Sequence, residues 1–201
     1  MFLEGETDLK MLVAFAEKVD HPVKNHLSTA NVSFVHGNLA NDAVKSFAAF
    51  QAFFPELKGV AVFDRLKNMP MNPKLNVRSL RKREMENYFA CPEVLLRYAA
   101  SLAEQQGVSV EQLERWMKES VENYTAPVHL KDLNNIGWSE AKLSDEWLDL
   151  IFPDFHLKLP KKNPNKNFKA DYYQLIGFMD SKNVDDEIIA ILDEIEAVIE
   201  K

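Results

Sequence analysis

The sequence contains very little cysteine and no long apolar run, and both absences narrow the class of protein. Cys91 is the only cysteine in 201 residues, so an intrachain disulfide and a cysteine-rich zinc site are excluded. No stretch approaches the ~20 apolar residues that a membrane-spanning helix needs. The N-terminal region has acidic residues where a signal peptide would have basic ones, so nothing indicates export. These absences predict a cytoplasmic protein without a membrane partner.

The chain also lacks a basic excess. Its 24 Lys and Arg residues against 31 Asp and Glu residues give a formal net charge of −7 at pH 7, so the molecule as a whole does not attract nucleic acid electrostatically. Some basic residues nevertheless cluster in the sequence, and arginine can bind phosphate through two parallel hydrogen bonds. A solvated surface is the more common role of such a run. The candidate nucleic-acid contacts are Arg65, Arg78, Arg81 and Arg83.

Strand and helix patterns alternate along residues 1–90. The continuously apolar run Gly59–Phe63 is typical of a parallel strand that is buried on both faces. The alternation predicts an α/β domain in which helices flank a parallel sheet. The first predicted strand ends at Leu3, and the other three are 31–36, 59–63 and 75–80. The predicted helices in this part of the chain are 7–19 and 42–54.

Residues 91–201 have helical patterns and predict a helical C-terminal subdomain. Pro92 suits the first turn of a helix, and Ser109 with Gln112 forms a capping box for the next one. The stretch 161–169 is polar and contains a proline, so a loop is expected there. The other predicted helices are 144–152, 170–179 and 184–200, of which the last has one apolar stripe.

Three carboxylates are expected at one edge of the predicted sheet. Glu4 would leave the carboxyl end of the first strand, Asp8 would lie in the first turn of the following helix, and Asp64 ends the strand 59–63. Open α/β sheets bind their ligands at this edge, and carboxylate oxygens are the ligands that Mg²⁺ and Mn²⁺ prefer. The histidines other than His36, which ends a predicted strand, show no ligand-like spacing, His21 among them. The alternative is a surface turn with an acid that suits the helix dipole.

Three motifs, taken together and in their order along the chain, resemble those of a known family. They are Glu4-Gly5-Glu6-Thr7-Asp8, Val62-Phe63-Asp64-Arg65 and Arg83-Glu84-Met85-Glu86-Asn87-Tyr88. The sequence resembles the Toprim domain of the OLD-family (overcoming lysogenization defect) ATPase-coupled nucleases. The resemblance covers the first half of the chain and implies a Toprim-like, Rossmann-like sheet that carries out metal-dependent phosphodiester chemistry on DNA.

The resemblance also implies roles for individual residues. Glu4 would be a metal ligand or a general acid/base, and the ligands of one or two Mg²⁺ or Mn²⁺ ions would come from a set of carboxylates. Two such ions can stabilise the attacking and the leaving oxygen of an in-line displacement. Relatives use a late lysine for transition-state charge, for which Lys161 and Lys162 are candidates. The metal-ligand set is Glu4, Asp8, Asp64, Glu84 and Glu86.

The chain departs from the family pattern at Leu66, where the family has a second aspartate. This departure favours an alternative, a catalytically degenerate Toprim scaffold for dimerisation or for docking DNA or a partner. A third possibility keeps the metal chemistry but acts on a small phosphate ester or transfers nucleotides. Relatives carry an ATPase domain upstream, and the chain has no phosphate loop. The first strand is also short, so we expect the C-terminal part of a larger ATPase-containing protein; the alternative is a stand-alone protein with a short first strand. A homodimer could form through the last helix.

Overall fold

The computed structural model describes residues 1–37, 39–132, 135–161 and 168–199. It forms two compact units, one built from residues 1–85 and 181–201 and the other from residues 86–180. The sequence predicted one boundary near residue 90. The structure divides the chain at Met85 and returns the C-terminal segment to the first unit.

The first unit is an α/β unit. Its strands are β1 (Phe2–Leu3), β2 (Ser33–Phe34), β3 (Gly59–Phe63) and β4 (Leu75–Ser79). Its longer helices are α1 (Glu6–Lys18), α3 (Ala40–Phe53) and α10 (Asp186–Ile199), with the short α2 at Lys24–Leu27 and a 3₁₀ turn at Ser181–Asn183.

The four strands form one sheet in the order β2-β1-β3-β4. Every neighbouring pair runs parallel, as the alternation of strand and helix patterns predicted. All five residues of β3 are buried, because a central strand of a parallel sheet is covered on both faces. The expected α/β class with an all-parallel sheet is confirmed.

Apolar side chains pack α3 against one face of this sheet. Phe47 of α3 meets Phe2 of β1 edge to face, with ring centroids 6.3 Å apart. Gly59 permits this close approach, since a Cβ atom there would lie 2.8 Å from the Phe47 ring and 3.0 Å from Leu75. The cluster also contains Ala40, Ala43, Ala61, Phe63 and Val77.

The second unit is helical in its described residues. Its helices are α4 (Pro92–Ser101), α5 (Ala103–Gln106), α6 (Val110–Asn123), α7 (Pro127–Lys131), α8 (Gly137–Glu140) and α9 (Asp149–Lys158). A 3₁₀ helix at Met85–Tyr88 leads into this unit, a π-helical turn lies at Ser144–Leu148, and a further 3₁₀ helix lies at Lys169–Phe178. The capping box is present in part, since Ser109 Oγ accepts the Gln112 N–H at 3.3 Å. Among the described residues, no helix combines the length and apolar character needed to cross a bilayer.

Candidate metal centre at the carboxyl edge of the sheet

Two of the predicted metal ligands directly follow neighbouring strands. β1 ends at Leu3 and β3 ends at Phe63, and these strands pair in parallel. Glu4 and Asp64 therefore leave the sheet at the same edge, the carboxyl edge at which open α/β sheets bind ligands. Both side chains are half-buried.

Asp8 lies in the first turn of α1, where its carboxylate also caps the helix. The Gly5 N–H donates to Asp8 Oδ2 at 2.9 Å. Burial raises the pKa of Asp8, and the main-chain N–H groups of Gly5 and Glu4 offset part of that rise. A carboxylate has about four acceptor positions, so this cap leaves Asp8 able to ligate a cation. A nearby cation would favour the charged form that burial disfavours.

Glu84 is the most buried carboxylate of the predicted set, with 3% of its surface exposed. It follows Arg83, whose carbonyl oxygen accepts the Arg65 N–H at 3.2 Å. Because Arg65 is the residue after Asp64, this bond brings the segment of Glu84 alongside the end of β3. A carboxylate at this depth requires a hydrogen-bonded or charged partner, and Glu84 has such an interaction within the described residues.

Leu66, which stands where the Toprim pattern has a second aspartate, has a structural role. The main-chain N–H of Leu66 donates to Ser79 Oγ at 2.8 Å. The Leu66 side chain packs against the apolar cluster between the sheet and α3. This position contributes apolar contact where the family has a carboxylate.

Two of the four predicted nucleic-acid contacts are paired with acids of the C-terminal segment. Arg78 Nε donates to Glu194 of α10 at 2.7 Å. Arg81 forms ion pairs with Asp185 at 2.8 Å and with Glu187 at 3.0 Å. These acids offset the local positive charge, so this part of the basic run offers a weaker field to a polyanion than the sequence suggests.

The remaining predicted residues lie in different surroundings. In the first unit, Arg65 is half-buried and Arg83 is exposed. Glu86 and Lys161 belong to the second unit. The Lys161 ammonium donates to a main-chain carbonyl oxygen of that unit at 2.6 Å. Lys162 lies outside the described residues.

A different ligand cluster, which the sequence did not predict, is also present in the first unit. His21, Asp193 and Glu196 each offer a ligand atom, and these atoms lie within 4.8 Å of one another. The three side chains are therefore a candidate group for holding a metal ion. The histidine is 172 positions from Asp193, so spacing along the chain gave no sign of it. The one local signal was the Asp-x-x-Glu pair, which places both acids on one face of a helix.

The fold and the carboxyl edge together define an α/β protein with an all-parallel four-stranded sheet. Comparisons of the chain with protein-family models, with curated proteins and with solved structures give no match. The Toprim resemblance therefore rests on its three motifs.

Proposed function

We propose that this chain is a Mg²⁺- or Mn²⁺-dependent phosphodiesterase of the Toprim type that nicks DNA under the control of an associated ATPase domain. One observation carries the proposal. Glu4 and Asp64 follow neighbouring parallel strands, and the buried Glu84 lies in the segment hydrogen-bonded beside Asp64. The reaction class, phosphodiester cleavage, is inferred from the order of the three motifs that resemble the Toprim domain.

The donor set suits a hard cation. It consists of carboxylate oxygens, and its most buried member is Glu84. Glu4, Asp8, Asp64 and Glu84 would hold the ion, which when bound would acidify a water molecule and offset the phosphoryl charge. Glu4 would orient the attacking water or take its proton, and Asp8 fixes the turn that carries Glu4.

Leu66 supports a second candidate function, a Toprim scaffold without catalysis. An apolar side chain packed on the core replaces a ligand of the family pattern, and Arg78 and Arg81 are engaged within the first unit. Such a scaffold would dock DNA or a partner protein, or would dimerise. It can still bind a cation, but it would not turn over a phosphodiester.

A plasmid-nicking assay paired with Mg²⁺ and Mn²⁺ calorimetry separates these functions. We expect Asp64→Asn and Glu84→Gln each to reduce metal-dependent nicking at least about 100-fold, because each removes an anionic ligand. The matched control is Glu6→Gln, which neutralises an exposed acid of the same motif and should retain nicking.

The outcomes are distinct. Binding of Mn²⁺ without nicking by the wild type, with or without an ATPase domain, would favour the scaffold. Equal nicking by wild type and Asp64→Asn would contradict the nuclease proposal. A loss of nicking in Glu6→Gln equal to that in Asp64→Asn would contradict the assignment of the ligands.

A further inference from the structure

We propose a second metal site, formed by His21, Asp193 and Glu196, that binds Zn²⁺ or a similar transition metal. The site goes beyond the proposed phosphodiesterase and uses none of its residues. It would fasten α10 to the turn that follows α1.

The imidazole of His21 is held in place before any metal binds. Only 8% of this residue is exposed, and its main-chain N–H donates to the Ala16 carbonyl oxygen at 2.8 Å. Its Nδ1 accepts the Val23 N–H at 3.3 Å. The other ring nitrogen, Nε2, lies 3.1 Å from Asp193 Oδ1. The ring thus presents Nε2 to α10.

The two acids are presented by one face of a well-anchored helix. Asp193 and Glu196 are three residues apart on α10, so their side chains project in similar directions. Leu192 and Ile195 are completely buried, which fixes the rotation of the helix. The apolar side of α10 therefore sets the position of both carboxylates.

One distance between ligand atoms already suits a small divalent ion. Ligands about 2.1 Å from a zinc ion at tetrahedral angles lie about 3.4 Å apart. The Nε2–Oδ1 distance of 3.1 Å is close to that value, and all three ligand atoms lie within 4.8 Å. Closing the site on the ion would require rotamer adjustments of Asp193 and Glu196. A water molecule would complete the coordination, since the side chain of Asp193 is 65% exposed.

The ligand types favour a metal other than Mg²⁺. An imidazole nitrogen with two carboxylates suits Zn²⁺, Co²⁺, Ni²⁺ or Cu²⁺, whereas Mg²⁺ prefers oxygen. The carboxylate centre and the histidine centre should therefore differ in selectivity.

The two centres also lie at different places in the first unit. The carboxylate centre is at the start of α1, and His21 lies just beyond its end. The 13 residues of α1 span about 20 Å at about 1.5 Å per residue. A metal at the histidine centre would therefore stabilise the fold of the first unit, because it links residue 21 to the segment that returns after residue 180.

Metal binding would change the tautomer of His21. A neutral imidazole that ligates through Nε2 carries its proton on Nδ1, so the Val23 N–H would lose its acceptor. The Val23 N–H and the protonated Nδ1 would then face each other as two donors, so this turn has to adjust when the metal binds. The loss of that acceptor provides a local readout, the amide resonance of Val23.

The test is calorimetry of the full chain with ZnCl₂ and CoCl₂, with Asp193→Asn and Glu196→Gln as variants. Asp186→Asn is the matched control, since it neutralises an exposed acid at the other end of α10. We expect one Zn²⁺ ion to bind the wild type and the control, and each ligand variant to lose at least about 10-fold in affinity. Cys91→Ser should bind like the wild type.

Two further measurements make the test decisive. Zn²⁺ at about 100 times its wild-type Kd should raise the Tm of the wild type by about 5–10 °C, and that of Glu196→Gln by at most about half as much. The Val23 amide resonance should shift with Zn²⁺ and not with Mg²⁺. Equal Zn²⁺ affinity in the wild type and both ligand variants would overturn the proposal, as would Zn²⁺ binding that leaves Val23 unchanged. Because both variants alter surface acids, the test does not depend on replacing the buried histidine.

Discussion

At the scale of single residues, the Asp8 carboxylate makes one favourable and one unfavourable contribution to stability. Its carboxylate caps α1 through the Gly5 N–H, yet burial disfavours its charged form and raises its pKa. In the absence of a cation, the folded state therefore binds the Asp8 proton more tightly than the unfolded state does. Such a cost in stability is common at functional sites, and the proposed metal ligation would account for it.

We predict that Asp8→Asn leaves the chain as stable as the wild type at pH 7, or more stable. The amide oxygen can still accept the Gly5 N–H, and no buried charge remains. A raised folded pKa means that the stability contributed by this group is fully present below pH 3.8, the ordinary pKa of an aspartate. That contribution is lost as the pH rises through the folded pKa. Urea unfolding between pH 3 and pH 7 should show a smaller decline for the variant.

The same substitution should lower Mn²⁺ affinity and nicking at least about 10-fold if Asp8 is a ligand. Thr7→Ala is the neighbouring control, because it changes the same turn without removing a charge. A variant that is clearly less stable than the wild type at pH 7 would show that capping by the charged form outweighs its desolvation.

At the scale of elements, α10 is held to the first unit chiefly by its apolar face. Leu192 is completely buried, whereas the ion pair of Glu194 with Arg78 lies at a partly exposed surface. Burial of apolar area is a larger and less screened contribution than an exposed ion pair.

We predict that Leu192→Ala costs about 2–5 kcal/mol in the free energy of unfolding, and Glu194→Gln less than about 1 kcal/mol. Urea unfolding followed by far-ultraviolet circular dichroism would measure both. The cost of Glu194→Gln should shrink in high salt, and that of Leu192→Ala should not. A larger effect of the glutamate variant would mean that charge, and not apolar packing, anchors the helix.

At the scale of the whole molecule, buried phenols make the stability sensitive to high pH. Burial and the charge of Asp171 raise the pKa of Tyr98 to about 12. Burial also raises the pKa of Tyr172, whose hydroxyl donates to Asp149 Oδ1 at 2.6 Å. An unfolded tyrosine ionises near pH 10. The contribution of these groups is therefore complete below pH 10 and is lost as the pH rises towards 12.

We predict that the second unit loses stability steeply above pH 10. The three tryptophans of the chain, Trp116, Trp138 and Trp147, belong to this unit, so tryptophan fluorescence reports its unfolding in urea. Tyr98→Phe should reduce the decline between pH 10 and pH 12. Tyr124→Phe, at a partly exposed position, is the control. A decline that is identical in wild type and Tyr98→Phe would contradict this assignment.

The sequence by itself determined the local elements and their class. The apolar run of β3 and the alternation of strand and helix patterns predicted a parallel sheet, because periodicity and burial are local properties of a chain. They also put Glu4 and Asp64 at strand ends, and parallel pairing then brought both to one edge.

Only the tertiary structure decided which distant residues meet. In the folded chain α10 belongs to the first unit, Arg78 pairs with Glu194, and Glu84 is buried. The tertiary structure also brought His21 to Asp193 across 172 positions. No periodicity encodes such a contact, because it depends on how the apolar faces of α1 and α10 pack against the sheet. Side-chain packing over the whole unit sets those distances, and a sequence pattern describes only the faces that take part.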